Sequence, residues 1–369
     1  MLWNNKNLML GIDLTTRCNA GCPQCHRTDL NGLKADKRLP NVVWSLEQFK
    51  KAFSVEDCNQ ISTFDICGIY GDPMMVPDIA KIVKYIAESN PQAKIQINTN
   101  GSLRSEDVWW DCCVAGGKNL HWFISVEGTT QEMHQIYRQH TFLDKILNNM
   151  DIISQTQSVI HTQCLVWRHN EDHLQEIEDL CRKHGSTSHR ISVTTRNRNF
   201  KNGRIEWHNP RSNGQNYLDR STHKPGETVD GYVQVERRRY VKKDELVTDE
   251  LREHKDIQKD IAVRQDGGIS CEWGNKNALT MDYNGQVHPC CYFQNPYANL
   301  GLSTNEVGFE ERFLNDPLIQ EYKTHEKELN LFHNSMKNIL NHIWYKQTLQ
   351  NSWKTKPNEQ CKTMCGGCS

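Results

Sequence analysis

From Leu8 to about residue 193 the chain alternates short apolar, β-branched runs with stretches whose apolar positions recur every three or four residues. A period near two marks a strand and a period near 3.6 a helix, so the alternation predicts repeated βα units around a parallel sheet. Strands are expected over 8–14, 63–69, 94–99, 120–126, 160–166 and 190–194, and helices over 45–53, 77–88, 105–114, 130–137, 142–153 and 171–183. Ser45 with Gln48 reads as a capping box, and Pro77 with Asp78 as a first helical turn. The fold class that follows is α/β: a partial (β/α)6 barrel of TIM-like kind, in which ligands bind at the C-terminal strand ends.

Beyond 195 the pattern changes. Residues 196–266 are rich in Asn, Arg, Lys, Gly and Asp and carry the run Arg237-Arg238-Arg239. Such a composition is expected to bury no core, and the stretch reads as a polar, basic insertion or lid. Residues 267–369 read as a small cysteine-rich α+β extension. Two alternating runs meet there at Asn284-Gly285, a strong hairpin signal. Between 309 and 353 an amphipathic helical pattern carries no chemistry of its own, and packing on the barrel accounts for it.

The chain has 369 residues, 15 cysteines and a formal net charge of −1. That length suits one large domain and a smaller one, and the near-neutral balance gives no whole-chain nucleic-acid signal. The first residues lack a basic region followed by an apolar core, and no later run approaches about 18 apolar residues. No membrane segment and a cytoplasmic location are therefore expected. Cysteines clustered at ligand spacings, without a secretion signal, argue for metal binding in a reducing compartment. Cys58, Cys67, Cys112, Cys113, Cys164 and Cys181 stand alone and read as buried structural thiols.

The chemistry concentrates just after the first strand, in Cys18-Asn19-Ala20-Gly21-Cys22-Pro23-Gln24-Cys25. Three thiols at this spacing reach one metal centre from one loop, with Gly21 and Pro23 suited to a tight turn. A [4Fe–4S] cluster takes four thiolates when fully ligated, so three leave one iron open for a small molecule. A zinc knuckle or three core thiols are the other readings of the same residues.

The Cys-x3-Cys-x2-Cys pattern after a first β-strand resembles the radical S-adenosylmethionine superfamily. That resemblance implies a [4Fe–4S] cluster on Cys18, Cys22 and Cys25 whose open iron chelates S-adenosylmethionine, and a 5′-deoxyadenosyl radical that abstracts hydrogen from substrate. Gln24 departs from the aromatic residue common before the third cysteine. Gly68-Ile69-Tyr70-Gly71-Asp72-Pro73 resembles the family's Gly-Gly-Glu-Pro element, with Asp72 in place of Glu. The resemblance implies cofactor contacts from Gly71, Asp72 and Pro73, from Asn100 and from Ser125 and Glu127 at strand ends, and from Asn170 beside the adenine. An ordinary turn at 68–73 and a helix-capping Asn170 are the plainer readings.

The C-terminal cysteines resemble the SPASM and twitch extensions of the same superfamily, with Gly285 five residues before Cys290. This implies a second, auxiliary [4Fe–4S] cluster on Cys271, Cys290, Cys365 and Cys368, with Cys291 and Cys361 as alternative ligands and zinc as the alternative metal. The expected activity is oxidative modification of a peptide or protein side chain, with electrons from a flavodoxin or ferredoxin. Modification of a nucleotide or RNA, and a non-catalytic iron–sulfur or zinc protein, remain the competing readings.

Overall fold

The structure, a computed structural model, describes residues 3–4, 7–194, 200–208, 216–223, 228–234, 239–243, 269–298 and 308–366. Its centre is six strands standing in chain order: β1 (Leu8–Ile12), β2 (Ile61–Ile66), β3 (Lys94–Thr99), β4 (Leu120–Ser125), β5 (Val159–Leu165) and β6 (Ser188–Ser192). Every pairing among them is parallel. Helices α1 (Leu46–Ala52), α2 (Val55–Asn59), α3 (Ile79–Ser89), α4 (Glu106–Gly116), α5 (Gln131–Tyr137), α6 (Leu143–Ser154) and α7 (Leu174–Lys183) lie in the crossovers. Ser45 closes the expected capping box with Gln48. The α/β barrel class is thus the observed one.

Alternation along the strands decides which side faces the helices. Ile95, Ile97, Trp122, Ile124 and Ile160 are fully buried, and α3 turns Ile79, Ile82, Val83 and Ile86 into the same core. Apart from Phe123, the alternate residues that face the other way are polar. Asp65, Gln96, Asn98, His161, Gln163 and Arg190 line an interior cavity of about 300 Å³. A closed barrel fills this space with branched apolar side chains; here it stays open and hydrogen-bonding.

Both sheet edges are extended by later chain. The expected hairpin at Asn284-Gly285 is present, as antiparallel β12 (Ala278–Met281) and β13 (Val287–His288). Gly285 has φ +81°, a conformation that favours glycine. Strand β12 also pairs in parallel with β1, setting Leu10 opposite Leu279, so the cysteine-rich extension continues the barrel's own sheet. The helical 309–353 stretch supports that hairpin: the hydroxyls of buried Tyr322 and Tyr345 both donate to the Val287 carbonyl.

At the other edge the insertion departs from expectation. Short strands β7 (Arg204–Glu206) and β8 (Tyr217–Asp219) pair with each other, while β9 (Thr228–Val229), β10 (Tyr232–Gln234) and β11 (Arg239–Lys242) extend the sheet from β6. Far from coreless in its described parts, the stretch buries Ile205, Trp207 and Leu218 with Trp167 and Tyr137. One or two apolar residues per strand satisfied this packing, too few to register in average composition. Arg237 and Arg238 lie outside the described residues. No helix among the described residues is long and apolar enough to cross a membrane.

Candidate active site

Cys18, Cys22 and Cys25 line one cavity of about 510 Å³ at the C-terminal strand ends, a volume within the range of small-molecule sites. Their loop is held by its backbone. Gly21 N–H donates to Gln139 O at 2.9 Å, and Cys25 N–H to Cys22 O at 3.0 Å. Arg27 donates to the carbonyls of Tyr70 and Ala20 at 3.1 and 3.2 Å. A Cβ on Gly21 would sit 2.7 Å from Leu33 O, and one on Gly71 only 2.3 Å from Thr15 O, so both positions need glycine for close approach. That approach lets Asp72 N–H reach Arg17 O at 2.7 Å.

The donor set fits an iron–sulfur cluster. All three thiols come from one loop, and Ala20 N–H points at Cys18 Sγ from 3.3 Å. Burial pushes the Cys18 thiol up, with Asp72 adding to it. It also raises Cys22 to about 11, against the pull of Arg138. Such thiols become thiolates only beside a cationic metal centre. A single tetrahedral zinc would draw sulfurs to roughly 3.8 Å of one another, from bonds of about 2.3 Å. Among the described residues the only three ligand-type side chains converging within 4.8 Å are His325, Glu328 and His342, so neither cysteine group has that tight geometry. His342 Nδ1 already accepts from Trp344 N–H at 3.2 Å, which leaves the Nε2 proton facing Glu328 as a hydrogen bond.

Asp72 is buried and saturated. Its carboxylate accepts from Thr99 Oγ1 at 2.9 Å, Asn100 N–H at 2.8 Å, Asn100 Nδ2 at 2.6 Å and Met74 N–H at 2.9 Å. Burial raises its pKa, and these hydrogen bonds oppose the shift. Asn100 Nδ2 also donates to Asn19 Oδ1 at 2.8 Å and lies 3.8 Å from Cys18 Sγ. Gly71, Asp72, Asn100 and Ser125 line the cavity, and Gln163 Nε2 donates to Ser125 Oγ at 3.0 Å. Pro73 sits just behind, opening a single 3-10 turn.

Glu127 and Asn170 are fully buried and do not line the cavity. Glu127 grips Arg138 through both oxygens, at 2.7 and 2.8 Å. Asn170 accepts from Trp167 N–H at 2.8 Å and donates to the Leu165 and Glu127 carbonyls at 3.0 and 3.2 Å, tying the ends of β4 and β5 together. It does not cap α7, which starts after His173. Arg138 is the residue that the sequence reading passed over. It lines the cavity, and its Nη1 lies 3.8 Å from Cys22 Sγ. Burial works against its charge, and the Glu127 carboxylate overcomes that, holding the guanidinium firmly cationic. Its signal was a lone Arg just after α5, eleven residues beyond the strand-end Glu127.

In the C-terminal region Cys271, Cys290, Cys361 and Cys365 line one apolar pocket. The Cys365 thiol and burial raise Cys271, whose Sγ accepts from Gly274 N–H at 3.3 Å, and burial lifts Cys361 to about 11. Cys361, expected only as an alternative, is therefore with the group. Cys291 is not among the pocket's lining residues and lies near enough to Cys67 to raise its pKa. Cys368 lies outside the described residues.

Residues 12–181 match the family model of the Radical SAM superfamily. That stretch, a little under half of the chain, is thus similar to radical SAM domains. Among solved structures, Streptococcus suis SuiB bound to S-adenosylmethionine aligns over 95% of this chain and 66% of its own, at 10% identity and a TM-score of 0.50. Native anSMEcpe with bound AdoMet aligns over 92% of this chain and 82% of its own, at 11% identity and a TM-score of 0.48. The chain spans just under two thirds of SuiB, and the likeness is one of fold. No curated protein matches the sequence.

Proposed function

We propose that this enzyme oxidises a peptide or protein side chain by radical chemistry at the Cys18, Cys22, Cys25 site. When bound, the cluster and S-adenosylmethionine would supply a 5′-deoxyadenosyl radical able to abstract hydrogen from an unactivated carbon. The observation that carries the reading is the convergence of three thiols and one buried cation, Arg138, on one cavity. The thiols hold the cluster. Arg138 offers a fixed two-pronged donor for the cofactor's carboxylate, and Glu127 keeps it aimed. Ser125 and Gln163 add neutral hydrogen bonds at the same wall. Asp72, Thr99 and Asn100 lock the loop behind Cys18, and Asn170 locks the strand ends.

The second thiol group, Cys271, Cys290, Cys361 and Cys365, would hold an auxiliary [4Fe–4S] cluster that accepts the electron left after hydrogen abstraction. Polar side chains from Asp65 to Arg190 inside the barrel favour a hydrogen-bonding substrate such as a peptide. The free thiols throughout the described chain support a cytoplasmic setting, and a flavodoxin or ferredoxin would supply electrons.

The test is isotope transfer. Reconstituted enzyme, dithionite and S-adenosylmethionine are incubated with perdeuterated peptides or, separately, perdeuterated nucleotides. Deuterium in 5′-deoxyadenosine from the peptides alone is the expected result; deuterium from the nucleotides alone contradicts the reading.

A further inference from the structure

The interior cavity lies nearer the N-terminal ends of the strands than the active cavity does, and the two share part of their lining. On β5 His161 and Gln163 line the first, Gln163 and Leu165 the second; on β6 Ser188 and Arg190 line the first, Arg190 and Ser192 the second. Asn98 is shared as well, so Asn98, Gln163 and Arg190 stand where the two cavities meet. Ile191, between Arg190 and Ser192, turns the other way into the core. Strand pairing sets the level of Arg190: it stands beside Gln163, which stands beside Ser125.

Three guanidiniums line the active cavity, and two of them are engaged. Arg27 donates to the Tyr70 and Ala20 carbonyls, and Glu127 holds Arg138. Arg190 is exposed and has neither an acceptor nor a carboxylate partner among the described residues. Asp65 is the carboxylate of the interior cavity, and it accepts from Asn98 Nδ2 at 2.8 Å. Its row of paired residues runs through Gln96 and His121 to Val159, four residues before Gln163 on β5. At about 3.3 Å per residue that is roughly 13 Å along the strand, too far to neutralise Arg190. His161 adds no second cation: burial lowers its pKa, and its ring already bonds His121 and Ser188.

We infer that Arg190 receives a carboxylate of the peptide substrate, with the interior cavity taking the residue that carries it. The inference rests on the proposed function and adds which peptides the site selects, those with an acidic side chain or a free C-terminus. A planar guanidinium matches the two oxygens of a carboxylate. A doubly charged phosphate would find no second cation lining the interior cavity. Phe123, stacked on His161 at 4.7 Å, offers an apolar wall for the methylenes behind the carboxylate. Anchoring at Arg190 holds that residue beside Ser125 and Gln163, on the wall assigned above to the cofactor.

The test uses the reconstituted full chain with dithionite, S-adenosylmethionine and four pools of perdeuterated octapeptides, random in sequence and otherwise uncharged. Three pools are capped at both ends and fix a central Glu, Gln or Lys; the fourth fixes Gln and leaves the C-terminal carboxylate free. Deuterium in 5′-deoxyadenosine is measured for each. Wild type is expected to take at least about tenfold more from the Glu pool or the free-acid pool than from the capped Gln pool. The pool that wins names the source of the carboxylate. Arg190→Gln should erase the preference, and Arg190→Glu should move it to the Lys pool. S-adenosylmethionine affinity of Arg190→Gln, by equilibrium dialysis, should stay within about twofold of wild type, as expected of a residue that meets substrate and not cofactor. A wild type with no preference for either acidic pool, or an acidic preference that survives in Arg190→Gln, would overturn the inference. So would lost S-adenosylmethionine affinity in Arg190→Gln, which assigns Arg190 to the cofactor or to the fold. Deuterium from no peptide pool would overturn the proposed function, and this inference with it.

Discussion

Glu127 and Arg138 form a two-point ion pair inside the protein, with Nε and Nη2 of the guanidinium 2.7 and 2.8 Å from the carboxylate oxygens. The carboxylate is fully buried and the guanidinium nearly so. Removing one partner leaves an uncompensated charge in the interior. Arg138→Ala is expected to cost about 3–5 kcal/mol in urea denaturation. Glu127→Ala/Arg138→Ala should recover part of that stability but none of the S-adenosylmethionine affinity, read by equilibrium dialysis. Full affinity in the double variant would remove Arg138 from the cofactor site.

The contrast between Arg138 and the cysteines shows what a sequence makes legible. Cys18, Cys22 and Cys25 announce themselves because their spacing is the chemistry, and the six strands because their alternation is long and regular. Arg138 has no such spacing; it reaches the cavity only because α5 ends beside the loop. The polar interior was written in Lys94-Ile95-Gln96-Ile97-Asn98, where every second residue is polar in a strand flanked by helices. The pairing of Leu10 with Leu279 was not readable, since local patterning says nothing about partners some 270 residues apart.

Asp13, just past β1, is buried with its carboxyl raised to about 8 by burial, against hydrogen bonds from Ile69 N–H and Gln294 Nε2. The folded chain therefore holds this proton between about pH 4 and 8, while the unfolded chain has released it. Stability contributed by this group falls as pH rises through that window and levels off above it. Asp13→Asn removes the dependence, which amounts to on the order of a few kcal/mol. Melting temperatures at pH 5 to 9 should show the variant gaining on wild type up to about pH 8, then holding constant. A gap that does not widen with pH would refute the assignment.

Gly71 leaves no room for a side chain, with Thr15 O at 2.3 Å and Arg17 O at 2.7 Å from where Cβ would stand. Gly71→Ala must push the loop off the Thr15–Arg17 backbone. A cost of about 1–3 kcal/mol is expected, together with weakened S-adenosylmethionine retention. Denaturation and gel-filtration binding check both, and wild-type values in each would show that the contact relaxes freely.

The second thiol group makes a selective prediction about ligands. Cys361→Ser or Cys271→Ser should lower the iron count of reconstituted protein by about four per chain, and Cys291→Ser should leave it unchanged. The reverse pattern would exchange Cys361 for Cys291 among the ligands.

The most direct measurement of the central claim is iron, sulfide and zinc per chain together with S-adenosylmethionine cleavage. Wild type and a Cys18→Ala/Cys22→Ala/Cys25→Ala variant are purified and reconstituted anaerobically and supplied with dithionite. Two sites require about eight irons in wild type, about four in the variant, and 5′-deoxyadenosine from wild type alone. Zinc in place of iron, or an iron-loaded wild type that leaves S-adenosylmethionine intact, would contradict it.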